Sequence, residues 1–286
     1  MPSFPPGHST TVTSSLRYED VTMDGRLIPI AAPAALAGLW RNLLVDHPGQ
    51  RNAVQAGILP ILTRLTINSL DQRIRVDRPT EWRDGFSLAH DVDGGEVSKL
   101  FLLVWCEIYG TAGKLGRNAS AGDFALAGTV FAEHTFTRPL APPEQRKVTH
   151  FGVEGFPDVP EMRYPAPAAS TAQEAPPGAA WLDELAVDPA EYAFTLDQTD
   201  SNQHVNSLVY IRVFHDALNR RLAATGRPMR LRSRAVDVAY RKPCFAGDTV
   251  RASLRLFEHA EGLGAAGLIA GVDGKPRCYV RVFLGA

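Results

Sequence analysis

The sequence predicts an α+β protein built from two similar units, each an antiparallel sheet wrapped around a long helix. Three observations carry this expectation. A capped helical repeat followed by alternating segments fills the C-terminal third, a similar order of elements runs through the N-terminal half, and a proline-rich stretch separates them. With 286 residues, 45% of them hydrophobic, the chain can fill one large core or two ordinary ones.

Residues 1–15, rich in Ser, Thr and Pro, are expected to form a disordered leader. The first unit is expected over 16–138. It has a helix-like stretch from Ala34 to Leu44 and strand-like runs near Ile67 to Val76, Phe86 to Val92, Leu100 to Tyr109 and Phe124 to Phe136. Residues 139–189 contain Pro139, Pro142, Pro143, Pro157, Pro160, Pro165, Pro167, Pro176 and Pro177, whose fixed φ angles and missing N–H groups exclude a regular helix or a central strand. They are expected to be a connector, extended over the surface or partly mobile.

The second unit is expected over 190–286. Asn206 can cap a helix in which Tyr210, Val213, Phe214, Ala217, Leu218 and Leu222 recur at helical spacing, and Gly226 and Pro228 end it. Three alternating segments follow: Val236, Val238 and Tyr240; Val250, Ala252, Leu254 and Leu256; Cys278, Val280, Val282 and Leu284. Turn signals at 246–248 and 273–276 separate them. A short echo supports duplication, since Arg78-Pro79 precedes Asp84 much as Lys242-Pro243 precedes Asp248.

A formal net charge of −1 gives no overall attraction to nucleic acid or an anionic membrane. Cys106, Cys244 and Cys278 are odd in number and widely spaced, which argues against a disulfide framework or a structural zinc site and fits a reducing cytoplasm. The N-terminus lacks the apolar stretch of a secretory signal, and no apolar run reaches the roughly 20 residues that span a bilayer.

Residues 199–210 read Thr-Asp-Ser-Asn-Gln-His-Val-Asn-Ser-Leu-Val-Tyr. If the segment is extended, alternation brings Asp200, Asn202 and His204 to one face, immediately before a helix whose first N–H groups are unpaired. A carboxylate there can activate water or attack as a nucleophile, an imidazole can exchange protons near neutral pH, and the helix start can hold an oxyanion. Against this stands a plain turn-and-cap role for Asp200 and Asn202. A calcium loop is excluded, because Val205 and Ile211 stand where glycine and an acid are needed.

Thr199 to Asn206 followed by Tyr210, together with Tyr240-Arg241-Lys242-Pro243-Cys244 and Gly247-Asp248-Thr249-Val250, resembles the hotdog thioesterases. It resembles especially the tandem acyl-ACP thioesterases, and also the 4-hydroxybenzoyl-CoA thioesterase-like proteins. The resemblance implies a double hotdog with paired units sharing a substrate tunnel, and hydrolysis of acyl thioesters on an acyl carrier protein or coenzyme A. It marks Asp200, Asn202 and His204 as catalytic. Substrate contacts are expected from Asn206, Tyr210, Arg241 and Lys242. No cofactor or metal is implied beyond the phosphopantetheine or coenzyme A of the substrate. The expected protein is cytoplasmic, a monomer or a homo-oligomer of pseudo-dimers. One departure matters: plant acyl-ACP thioesterases carry a glutamate where this chain has Pro243. Either Asp200 takes the water-activating role or the reaction is a cyclisation, dehydration or acyl transfer; a non-catalytic acyl-binding protein is the remaining alternative. Cys244 lacks an evident base and reads as a buried strand cysteine.

In the first half, Tyr18 to Leu27 corresponds to this region if Leu27 matches Val205, which sets Asp24 against Asn202 and Arg26 against His204. The catalytic set is then incomplete, and this half is expected to supply tunnel walls. Residues 212–242 carry a net charge of +7, leaving −8 for the rest, and can hold an acidic carrier or coenzyme A phosphates. The G-x-G-x-x-G of Gly262 to Gly267 lacks the strand-turn-helix setting and the following acid that a dinucleotide site needs. His90 begins a dehydratase-like pattern, but Lys99 occupies its proline position. His134 and His150 stand alone, and Trp40, Trp82, Trp105 and Trp181 read as core or interface.

Overall fold

A computed structural model describes residues 1–114, 122–228 and 230–285. The chain divides into two compact units, Met1–Pro167 and Ala168–Ala286. In the first, strand β1 (Ser9–Ser14) is followed by a helical run, helix α2 (Pro48–Gln55) and strands β2 (Leu59–Ser69), β3 (Thr80–Asp93), β4 (Glu96–Thr111) and β5 (Phe124–Thr137). All pair antiparallel, in the order β1-β3-β4-β5-β2. Buried Leu100 to Cys106 place β4 at the centre, where a continuous apolar run needs cover on both faces.

The second unit has three two-residue strands, β6 (Ala180–Trp181), β7 (Ala186–Val187) and β8 (Tyr192–Ala193), and helix α3 (Ser207–Ala224). Strands β9 (Arg232–Tyr240), β10 (Thr249–His259), β11 (Gly262–Gly271) and β12 (Pro276–Gly285) follow. They pair antiparallel in the order β9-β12-β11-β10, and β6, β7 and β8 line the free edge of β10. Setting β1 aside, the four long strands of each unit are connected alike: the first pairs the fourth, the fourth the third, and the third the second.

Helix α3 runs as the sequence predicts. Its cap is Asn206, whose side chain accepts from Leu208 N–H at 2.9 Å, and Val213, Phe214, Ala217, Leu218 and Leu222 are buried on its apolar face. Among its described residues the first unit has no equivalent long α-helix. Its run is a 3-10 segment (Pro29–Leu36), one α turn (α1, Ala37–Leu39) and a π segment (Trp40–Leu44). Pro33 inside it has no N–H to give, and Gly38 is approached so closely that a Cβ there would lie 2.8 Å from Val12 and 2.9 Å from Asp84.

Three further expectations change, and one discounted segment finds its place. The leader is not disordered, because β1 pairs residue by residue with β3 from Ser9↔Gly85 to Ser14↔Thr80. The connector is ordered and divided: Phe151 and Phe156 are buried in the first unit, with Phe136 and Phe151 rings 4.7 Å apart, whereas β6 and β7 belong to the second. The first long strand of unit one ends at Ser69 instead of reaching Val76. Finally, the G-x-G-x-x-G segment is strand β11. Gly264 and Gly267 are required because the Phe257 ring and the Ser253 backbone fill the space of any Cβ.

Candidate active site

The segment 195–206 is a tight loop, not the extended strand the sequence suggested. A 3-10 turn (Leu196–Gln198), boxed by Thr195 and Gln198, leads into Thr199, which bridges Val205. Between them the chain reverses: Asp200 N–H donates to His204 O at 2.8 Å and Gln203 N–H to Asp200 O at 2.9 Å. Gln203 sits at φ 63°, a left-handed conformation uncommon for a non-glycine residue. Asp200 holds the reversal together, its Oδ1 accepting from Asn202 N–H at 2.8 Å and His204 N–H at 3.2 Å.

The two motifs of the sequence meet at this loop. Val205 N–H donates to Cys244 O at 2.8 Å, His204 bridges Phe245, and the His204 and Phe245 rings meet edge-on at 5.3 Å. A buried phenol and a half-buried one tie the same elements to α3. Tyr210 OH accepts from Cys244 N–H at 2.9 Å, and Tyr240 OH donates to Ser207 O at 3.0 Å. Burial pushes both phenols well above their ordinary range, so they act as neutral hydroxyls. Burial likewise raises the Cys244 thiol, which disfavours the thiolate a nucleophile needs.

Asp200 and Asn202 are exposed, and His204 is partly so. The loop therefore presents an amide with no partner among the described residues, an imidazole backed by a ring, and a carboxylate with one oxygen committed to the turn. At the helix start, Leu208 N–H is taken by the Asn206 side chain and Val209 N–H by Asn206 O, which leaves Ser207 N–H without an acceptor among the described residues. Tyr210 is a fastener between α3 and the 240–248 loop. Lys242 lies 3.8 Å from Asp273, and Arg241 is exposed.

The basic run is compensated in part by acids distant in sequence. Arg220 pairs with buried Asp188, Arg221 with Asp183 at 2.8 Å and Arg234 with Glu261 at 3.4 Å. Arg212, Arg230 and Arg241 remain exposed without a carboxylate partner among the described residues. Sequence reasoning missed Phe245 and the left-handed Gln203, and it named Tyr240 only as a strand and motif residue without its bond to the start of α3. The signal for Gln203 was present: its counterpart in the first half is Gly25, at φ 88°.

That counterpart loop repeats the reversal bond for bond. Thr22 N–H donates to Arg26 O at 2.7 Å, Gly25 N–H to Thr22 O at 2.8 Å and Arg26 N–H to Thr22 Oγ1 at 3.0 Å. Val21 bridges Leu27, and Ile28 N–H donates to Asp20 O at 2.8 Å just as Asn206 N–H donates to Gln198 O at 2.8 Å. The proposed alignment of Leu27 with Val205 is therefore the structural one, and Thr22 and Arg26 stand where Asp200 and His204 do. The Asp84 and Asp248 echo is not structural. Asp84 is buried inside β3 opposite Cys106, whereas Asp248 lies before β10 and accepts from Phe245 N–H at 2.9 Å.

Residues 189–282 match the family model of the acyl-ACP thioesterase C-terminal domain. No curated protein matches the chain in sequence. Among solved structures, it is similar to an acyl-ACP thioesterase from Bacteroides thetaiotaomicron, with a TM-score of 0.62 at 17% identity over 96% of this chain and 97% of that one. It is also similar to a 12:0-ACP thioesterase from Umbellularia californica, with a TM-score of 0.57 at 12% identity over 96% of each chain. At those identities the likeness speaks for the fold. The chain has a hotdog-like thioesterase fold, and its C-terminal unit, which holds the Asp200–His204 loop, resembles the acyl-ACP thioesterases.

Proposed function

We propose that the chain hydrolyses acyl thioesters carried on an acyl carrier protein, releasing a carboxylic acid and the carrier thiol. The duplicated strand order supports reading its fold as a double hotdog. The observation that carries the reaction is the docking of the Asp200–His204 turn on Cys244 and Phe245 at the capped start of α3. Water attacks the thioester carbonyl carbon while the free oxygen of Asp200 takes its proton. The resulting oxyanion is held by Ser207 N–H and the Asn202 amide. Collapse breaks the C–S bond, and His204 delivers the proton that the departing thiolate needs. No metal or redox group enters these steps.

The names of the similar structures favour a carrier-bound acyl group, and exposed Arg212 and Arg241 offer it positive charge. Acyl-ACP and acyl-CoA panels scored together for free thiol and product mass test the reading. Thiol release with the free acid as product is the expected result, and His204→Ala should lower kcat by about 100-fold or more. A product of cyclised, dehydrated or transferred mass, or thioesters that bind and survive, would overturn it.

A further inference from the structure

We infer that the N-terminal unit carries a second ligand site, for a monocarboxylate with an apolar tail, beside its own copy of the turn. A cavity of about 440 Å³ opens there, within the range of about 300–1,000 Å³ common for small-molecule sites. Val21, Ile74 and Val76 line it, and Tyr18 and Met23, 72% and 106% exposed, stand at its rim. Large apolar side chains held in water around a concave surface mark a place where an apolar body is taken up.

The polar chemistry of the lining selects the head group. Thr22 Oγ1 is spent on Asp24 at 2.5 Å, and Asp24 in turn pairs with Arg26. Lys114 is the lining cation, exposed and without a carboxylate partner among the described residues. One positive charge beside apolar walls is matched by one negative charge on an apolar tail. A phosphate monoester would bring a charge too many, and a neutral alcohol would leave the ammonium unpaired. Thr22 and Arg26 occupy the positions of Asp200 and His204, so the ligand is held here without proton transfer or bond cleavage.

Laurate titrated calorimetrically into the full chain tests the site, with dodecanol and dodecyl phosphate as comparisons. Both informative substitutions, Lys114→Gln and Met23→Ser, fall on exposed side chains. We expect laurate affinity to drop about tenfold in each, the worth of roughly 1.4 kcal/mol, and to persist in His204→Ala. Dodecanol and dodecyl phosphate should bind about tenfold more weakly than laurate. Absent laurate binding, equal binding of the comparison ligands, or unchanged affinity in Lys114→Gln would overturn the inference. So would loss confined to His204→Ala, which would put the ligand at the candidate active site. Because the readout is binding, failure here leaves the thioesterase reading untouched.

Discussion

The Tyr210 hydroxyl accepts the Cys244 backbone N–H at 2.9 Å in a buried setting, fastening helix α3 to the loop that carries Phe245 beneath His204. Tyr210→Phe removes the acceptor and strands a buried donor, which costs about 1–3 kcal/mol. Urea unfolding should show a lower midpoint at unchanged slope, and kcat should fall as Phe245 loses its register with His204. An unchanged midpoint would mean that the hydroxyl is not the fastener.

Asp200 has two separable tasks, and two substitutions part them. Its Oδ1 accepts two backbone N–H groups of the turn, a task an amide oxygen can also perform. Asp200→Asn is therefore expected to keep the thermal midpoint while lowering kcat by about 100-fold or more, because an amide cannot take a proton from water. Asp200→Ala should lower both. If Asp200→Asn turns over acyl thioesters at the wild-type rate, the carboxylate only shapes the loop.

The paired turns make a prediction about backbone strain. Gly25 at φ 88° has Ile74 O 3.3 Å from where a Cβ would sit, while Gln203 already carries a side chain at φ 63°. Gly25→Ala should cost about 1–2 kcal/mol or more, since the left-handed region and the carbonyl both oppose the new methyl. Gln203→Gly should stay within about 1 kcal/mol, relief of strain being offset by the freer unfolded chain. A Gly25→Ala variant as stable as wild type by denaturant unfolding would contradict a left-handed turn there, and with it the equivalence of the two turns.

What the sequence shows about this fold follows which interactions are made by side chains. Helix α3 and strands β10 and β12 were legible because Val213, Leu218, Val250, Leu254, Val280 and Val282 put an apolar group at every period. Strand β11 was not, because its close packing against Phe257 demands glycine and so erases the pattern. Strand β1 was hidden for a related reason: Ser-Thr-Thr-Val-Thr-Ser pairs through its backbone and presents little to bury. The strongest internal repeat, a constant offset of 178 residues from Arg17 with Thr195 to Ile28 with Asn206, is likewise written in backbone hydrogen bonds and shares almost no side chains. At the candidate site alternation misjudged how Asp200, Asn202 and His204 meet, since a left-handed Gln203 turns the chain where an extended segment was assumed. The basic run appeared open because Asp183 and Asp188, which neutralise Arg221 and Arg220, lie in the presumed connector.

Two buried groups in the first unit oppose each other as pH changes, and substituting one should expose the other. Asp84 is fully buried on β3 with no nitrogen or oxygen donor to either oxygen among the described residues, only the weak thiol of Cys106 beside it, and burial raises its pKa to about 6. His134 on β5 packs edge-on to Trp40, and burial lowers its pKa to about 4. For Asp84 the folded value lies above the ordinary 3.8, so stability is full below about pH 4 and is lost as pH rises to about 6. The loss corresponds to about 3 kcal/mol at neutral pH. For His134 the folded value lies below the ordinary 6.5, so stability is full above that and is lost as pH falls towards 4, again by about 3 kcal/mol. Between pH 4 and 6 the two slopes nearly cancel. Asp84→Asn removes the carboxylate's share, so denaturant unfolding should find the variant more stable than wild type at pH 7. Its advantage should shrink steadily on acidification as the His134 slope stands uncovered. A variant whose stability relative to wild type is independent of pH across this window would show that Asp84 does not remain protonated in the fold.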